Sequence, residues 1–170
     1  MRFLTLALTA LLTAATLSAE LPRDATKLEF RTYDGKQVSI EGLKGKAVAV
    51  MFFSTDCPHC QHTTEILGPI YEEFQPKGLE IVALAVNPSA AANLKDFVAE
   101  YGAKFLVGLG TTDQWTRFAD LSATARPYVP HLLFVNKAGK IVEDHPGLDR
   151  KFWLNQETAI REAAERLTAE

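Results

Sequence analysis

The sequence predicts an α/β fold, a central mixed β-sheet flanked by helices, and three observations carry that expectation. Two continuous apolar runs, "GKAVAVMFFS" and "LEIVALAV", have the composition of strands buried on both faces. The segment 58–74 that joins them repeats apolar residues at helical spacing. Strand and helix signals then continue to alternate toward the C-terminus, the pattern of a layered α/β unit.

Met1 and Arg2 are followed by the apolar run "FLTLALTALLTAATL" and then by Ser18 and Ala19. This is the composition of a secretory signal peptide, expected to span 1–19 and to be cut after Ala19, although Leu17 is larger than the usual residue there. The run is shorter than the roughly twenty residues a helix needs to cross a bilayer, and Glu20 and Pro22 follow it closely. No cysteine lies near the cut, so a lipid-modified cysteine is not available as an anchor. The expected location is therefore secreted or periplasmic, with an uncleaved membrane anchor as the less favoured alternative. Residues 20–170 have the size of one domain with a sizeable core. Segment 1–19 holds one of the 18 Lys and Arg and none of the 21 Asp and Glu, which leaves a formal charge of −4. An acidic chain of this kind argues against a nucleic-acid partner. It is expected to work as a monomer.

"KLEFRTYDGKQVSIE" at 27–41 alternates in the manner of two strands around Asp34-Gly35, a strong hairpin signal. After the first buried run, Ile66, Leu67, Ile70, Tyr71 and Phe74 define a helix from Pro58 to Phe74. Proline suits its first position, where a missing N–H costs nothing. "SAAANLKDFVAEYG" reads as an amphipathic helix and "AKFLVGL" as a short strand. A helix is expected over 113–121, a hairpin from "HLLFVN" and "KIVEDH", and one closing helix over 151–168. Trp115, Phe118, Phe152 and Trp153 are read as core or shallow-groove aromatics, with core favoured.

"STDCPHCQH" at 54–62 holds the only two cysteines of the chain. Cys57 and Cys60 are a redox pair, metal ligands or a structural disulfide. Export would place them in an oxidising compartment, where structural disulfides persist. Yet a C-x-x-C pair closes too small a loop to stabilise much through chain entropy. Reactivity is therefore the favoured reading.

The strand "VAVMFFS", the dithiol, the helix after it, "GLEIVALAV" and "VPHLLFVNKAGKIV" together resemble the secreted thioredoxin-fold thiol-disulfide oxidoreductases of the TlpA/ResA kind, within the AhpC/TSA-redoxin superfamily. The N-terminal hairpin and a helix-strand insertion near 90–108 are also similar to that family. The resemblance implies a thioredoxin-like fold and a redox-active Cys57–Cys60 disulfide in place of any bound cofactor or metal. It also implies a cis Pro130 lying against the dithiol, and a Val129 backbone that pairs with an extended substrate segment. The implied partners are exported protein thiols and disulfides, together with a membrane electron-transfer protein.

A cysteine at a helix N-terminus faces unpaired N–H groups and the positive end of the helix dipole, both of which favour a thiolate. Cys57 is expected there, as the nucleophile. Cys60 follows one turn later, as the resolving thiol. The intervening Pro58-His59 sets the redox poise, because whatever stabilises the thiolate makes the disulfide a stronger oxidant. A charged imidazole at His59 would act in that direction, and the carboxylate of Asp56 would oppose it. His62 is read as a solvated surface residue, and His145 has no evident partner.

The resolving thiol must lose a proton, and thioredoxin-fold reductants commonly keep a carboxylate beneath the dithiol for this. By resemblance those positions fall on Met51 and at or near Pro88, neither of which accepts a proton. His131, directly after Pro130, is the candidate acceptor in their place.

Two alternatives stay open. A copper-binding thioredoxin-fold chaperone would use Cys57, Cys60 and His131 as soft ligands, although such chaperones usually space their cysteines by three residues. A peroxiredoxin-like thiol peroxidase is suggested by "FFSTDC", but that chemistry prefers Thr three residues before the cysteine, where this chain has Ser54.

Overall fold

The computed structural model describes residues 20–122 and 124–170; the expected signal peptide at 1–19 lies outside them. In chain order the strands and helices are β1 Arg23–Asp24, β2 Glu29–Thr32, β3 Gln37–Ser39, β4 Ala47–Phe53, α1 Pro58–Phe74, β5 Leu79–Ala85, α2 Ala90–Glu100, β6 Leu106–Leu109, α3 Thr112–Phe118, β7 His131–Val135, β8 Lys140–His145, α4 Arg150–Trp153 and α5 Gln156–Ala169. All eight strands join one mixed sheet in the order β1-β8-β7-β4-β5-β6-β2-β3. This is the thioredoxin-like architecture expected from the sequence. β4 is central, parallel to β5 and antiparallel to β7.

Every residue of β4 and β5 is buried, which is why both read as unbroken apolar runs rather than alternating ones. Their side chains feed two cores. Met51, Phe53 and Cys60 belong to the core beneath α1, α2 and α5, together with Leu132 and Phe134 of β7. Phe52, Leu133 and Val135 belong to the other, which Trp115 and Phe118 of α3 and the residues around the β2–β3 hairpin cover. Phe52 stacks on Trp115 with ring centroids 5.9 Å apart. Fully burying a side chain such as Leu67 or Ile70 of α1 is worth about 1.5–3 kcal/mol, so α1 is held by its inner face as well as by its own hydrogen bonds. The hairpin turns at Gly35, whose φ of 91° suits a residue without a Cβ.

Two elements differ from the sequence reading. β1 is an additional strand of two residues, paired with β8. The single closing helix expected over 151–168 is two, α4 and α5, with Leu154 and Asn155 between them. Asp149 starts α4 by accepting a hydrogen bond from the Phe152 N–H at 3.2 Å. Among the described residues, no helix is long and apolar enough to cross a membrane.

Candidate active site

β4 ends at Phe53, and the chain turns through Ser54–Asp56 into α1, with Cys57 as the N-cap residue and Pro58 as the first residue of the helix. The turn is pinned from the side. Asn87 Oδ1 accepts from the Thr55 N–H at 3.1 Å while Asn87 Nδ2 donates to Thr55 Oγ1 at 2.9 Å, and Gln61 Nε2 donates to the Thr55 carbonyl at 3.0 Å. Asn87 is not legible as a site residue in the sequence, since a lone polar residue after a strand gives no motif.

Both cysteines are free thiols. Cys57 is half-buried and Cys60 fully buried. Burial pushes the Cys60 thiol far above the ordinary range. A hydrogen bond to the Ser54 backbone opposes this, while the neighbouring Cys57 sulfur and the Asp56 carboxylate add to it. A half-buried cysteine thus sits at the head of the helix and a fully buried, proton-retaining one beneath it.

Beside His59, in the first turn of α1, opens a cleft of about 230 Å³ whose walls also include Val129, Pro130, Arg150, Trp153 and Leu154. The Val129–Pro130 peptide bond is cis. No hydrogen bond among the described residues uses the Val129 N–H. Gly147 closes one side, and a Cβ there would stand 2.5 Å from the Tyr128 carbonyl oxygen, so only glycine lets the two segments touch. A larger cleft of about 500 Å³, lined by Lys27, Gln114, Arg117 and Phe118 among others, holds no residue of α1 or of the Val129–Pro130 segment. Phe118 places it on the opposite side of the sheet.

The structure corrects the expectation for His131. Side chains alternate along β7. Leu132 and Phe134 join the core that holds Cys60, and His131 points to the other, where its ring meets Trp115 edge-on. Both of its nitrogens are committed. Trp115 Nε1–H can only donate, so His131 Nδ1 accepts it at 2.9 Å, which leaves the Nε2–H to donate to Asp144 Oδ1 at 2.7 Å. Asp144 is also bonded by Arg23. Burial by itself would raise the Asp144 carboxyl, but His131 and Arg23 outweigh it and hold the group below the usual carboxylate range. The imidazole is a structural link and cannot serve Cys60. It cannot join the two cysteines on a copper ion either, and no group of three His, Cys, Asp or Glu among the described residues could hold a metal.

The remaining histidines and aromatics divide between the surface, the core and the cleft. His59 is exposed on the cleft wall. His62 is exposed and lies 3.7 Å from Glu65. Met51 is fully buried and Trp115 and Phe118 are core residues; Phe152 is buried, while Trp153 faces the cleft. His145, which showed no partner in the sequence, lies 3.2 Å from Glu143 and 3.1 Å from Asp149 and stacks on Phe152 with centroids 3.8 Å apart.

A buried central strand that delivers a dithiol to a helix N-terminus, beside a cis-proline cleft, defines a thioredoxin-fold redox protein as a class. A family model described as Redoxin matches residues 18–158, and the chain belongs to that family. It is 28% identical over 132 residues to the thiol-disulfide oxidoreductase ResA of Bacillus anthracis, covering 78% of this chain and 73% of that protein. Its identity to the ResA of Bacillus subtilis (strain 168) is 32% over 120 residues, 71% of this chain and 64% of that one. Among solved structures, a thiol:disulfide interchange protein of the thioredoxin family from Chlorobium tepidum TLS superposes with a TM-score of 0.73 at 22% identity, covering 88% of this chain and 98% of that one. A secreted Mycobacterium tuberculosis disulfide oxidoreductase, homologous to E. coli DsbE, gives 0.66 at 17% identity over 83% and 96%.

Proposed function

We propose that the protein is a thiol-disulfide oxidoreductase that exchanges disulfides with exported protein clients through Cys57 and Cys60. The observation that carries this reading is the contrast between the two sulfurs: one half-exposed at the N-cap of α1, the other buried one turn below it. Membership in the Redoxin family and the named function of the ResA relatives support it.

The chemistry follows from that contrast. Cys57 as thiolate attacks one sulfur of a client disulfide; an S–S bond forms to Cys57 and the client's second sulfur leaves as thiolate. Bonding to the client quenches the charge and the hydrogen bond of Cys57, two of the influences that hold the proton on Cys60. Cys60 then loses its proton, attacks Cys57, and expels the first client sulfur, which leaves as a thiolate and takes up that proton. Two electrons pass from the dithiol to the client, and the Cys57–Cys60 disulfide remains. Reversed, the same steps oxidise a client dithiol. The unused Val129 N–H would receive an extended client segment as an added strand, and Pro58 and His59 between the cysteines tune the potential.

The site of action in this reading is outside the cytoplasm. The composition of 1–19 supports export of residues 20–170 as one thioredoxin-like domain, and a membrane electron-transfer protein would restore the dithiol. The test is turnover of insulin disulfides by the reduced protein, with the potential of the pair measured against glutathione. Precipitation of insulin chains at a rate above the thiol background supports the exchange. Hydrogen peroxide consumption faster than insulin reduction would instead favour the peroxidase chemistry.

A further inference from the structure

The cleft lined by His59, Val129 and Pro130 presents a cation that the exchange chemistry does not require. Arg150 is exposed on its wall, and no ion pair among the described residues uses that guanidinium. No carboxylate lines the cleft. The nearest in sequence, Asp149, is spent: Oδ1 accepts from the Phe152 N–H and Oδ2 faces His145. Around the cation stand apolar surfaces. Val129, Pro130 and Trp153 line the cleft with Leu154, which is 77% exposed, and Leu148 is 68% exposed two residues before Arg150. Trp153 is fixed by donating its Nε1–H to the Pro146 carbonyl at 2.8 Å.

We infer that Arg150 is a specificity-determining residue that selects client segments in which an apolar side chain and a carboxylate flank the reactive cysteine. This rests on the exchange reading above. An extended segment laid along Val129 alternates its side chains, so an apolar residue reaches Trp153 and Leu154 while a carboxylate a residue or two from the cysteine reaches Arg150. A guanidinium is suited to this because its planar fork bonds a carboxylate through two donors. The protein as a whole is acidic, with a net charge of −3. Long-range attraction therefore works against an acidic client, and a preference for one must arise locally.

The test uses symmetric disulfides of three short peptides, each with one Cys flanked by Phe and by Asp, Asn or Lys, and uncharged hydroxyethyl disulfide as a fourth substrate. With the full reduced protein, kcat/KM for the Asp peptide should exceed that for the Lys peptide by about fivefold, the scale of one exposed ion pair. The order should reverse in R150E and flatten in R150Q. K151E makes the same change of net charge one residue away, off the cleft wall, and should keep the preference. Equal rates for Asp and Lys peptides, or a preference lost equally in K151E and R150E, would overturn the assignment while hydroxyethyl disulfide reduction leaves the exchange standing. Failure to reduce any of the four disulfides overturns both.

Discussion

His145 Nδ1 lies 3.1 Å from Asp149 Oδ2, and that contact ties the end of β8 to the short helix α4 that walls the cleft. Burial alone would lower the His145 value, but the bonds to Glu143 and Asp149 outweigh it and hold the imidazolium above its ordinary value. Glu143 is shared with Arg166 of α5, so β8, α4 and α5 meet at this one ring.

A pH dependence of stability follows. A raised folded-state value means that the His145 contribution is fully present below the unfolded value of about 6.5 and is lost as pH rises through the higher folded one. Urea midpoints should fall from pH 6 toward pH 8.5, and H145Q should flatten that slope and cost about 1–2 kcal/mol at pH 6. A slope that persists in H145Q would assign the dependence to another group.

The chain Trp115–His131–Asp144–Arg23, buried at its first two members and partly buried at the others, should report on stability and not on exchange. H131A leaves the Trp115 N–H without its acceptor and deprives Asp144 of one donor, at a cost of about 2–3 kcal/mol. Its Trp115 emission should shift in step with that loss. The pH profile of Cys60-dependent resolution should match the parent across pH 5 to 8 at a temperature where both are folded. A profile altered in H131A but not in H131T would return the ring to the dithiol's chemistry.

Gly147 offers a separate handle on the cleft. Because a Cβ would meet the Tyr128 carbonyl at 2.5 Å, G147A must push the 146–149 turn off the segment that carries Val129 and Pro130. Reduction of a protein disulfide should drop about tenfold, a loss of about 1.4 kcal/mol in the transition state, while alkylation of Cys57 by iodoacetamide is unchanged. Insulin turnover equal to the parent's would show that the turn yields without disturbing the cleft.

The residues that were legible in sequence are those whose signal is local. β4 and β5 are buried on both faces and so read as apolar runs, and Pro58 marks the start of α1 because a first-turn proline has nothing to lose. The rest depended on geometry that sequence does not fix. "HLLFV" is apolar on both sides of the pleat apart from His131 itself, so one residue of parity, which decides whether that ring faces Cys60 or Trp115, leaves no trace. β1 is two residues long, too short to alternate. The break at Leu154–Asn155 has neither proline nor glycine to announce it, and the apolar spacing of Ile160, Ala163, Ala164 and Leu167 runs on past it. Arg150, His145 and Asn87 gain their meaning only from neighbours distant in the chain.

Trapping the mixed disulfide tests the central assignment most directly. C57S and C60S, each reduced and mixed with oxidised insulin, would be quenched with acid and mapped by peptide mass spectrometry. C60S should accumulate a stable adduct whose client sulfur is on Cys57, and C57S should form almost none because Cys60 is buried and holds its proton. An adduct on Cys60 in C57S, formed as fast as the C60S adduct, would contradict that assignment.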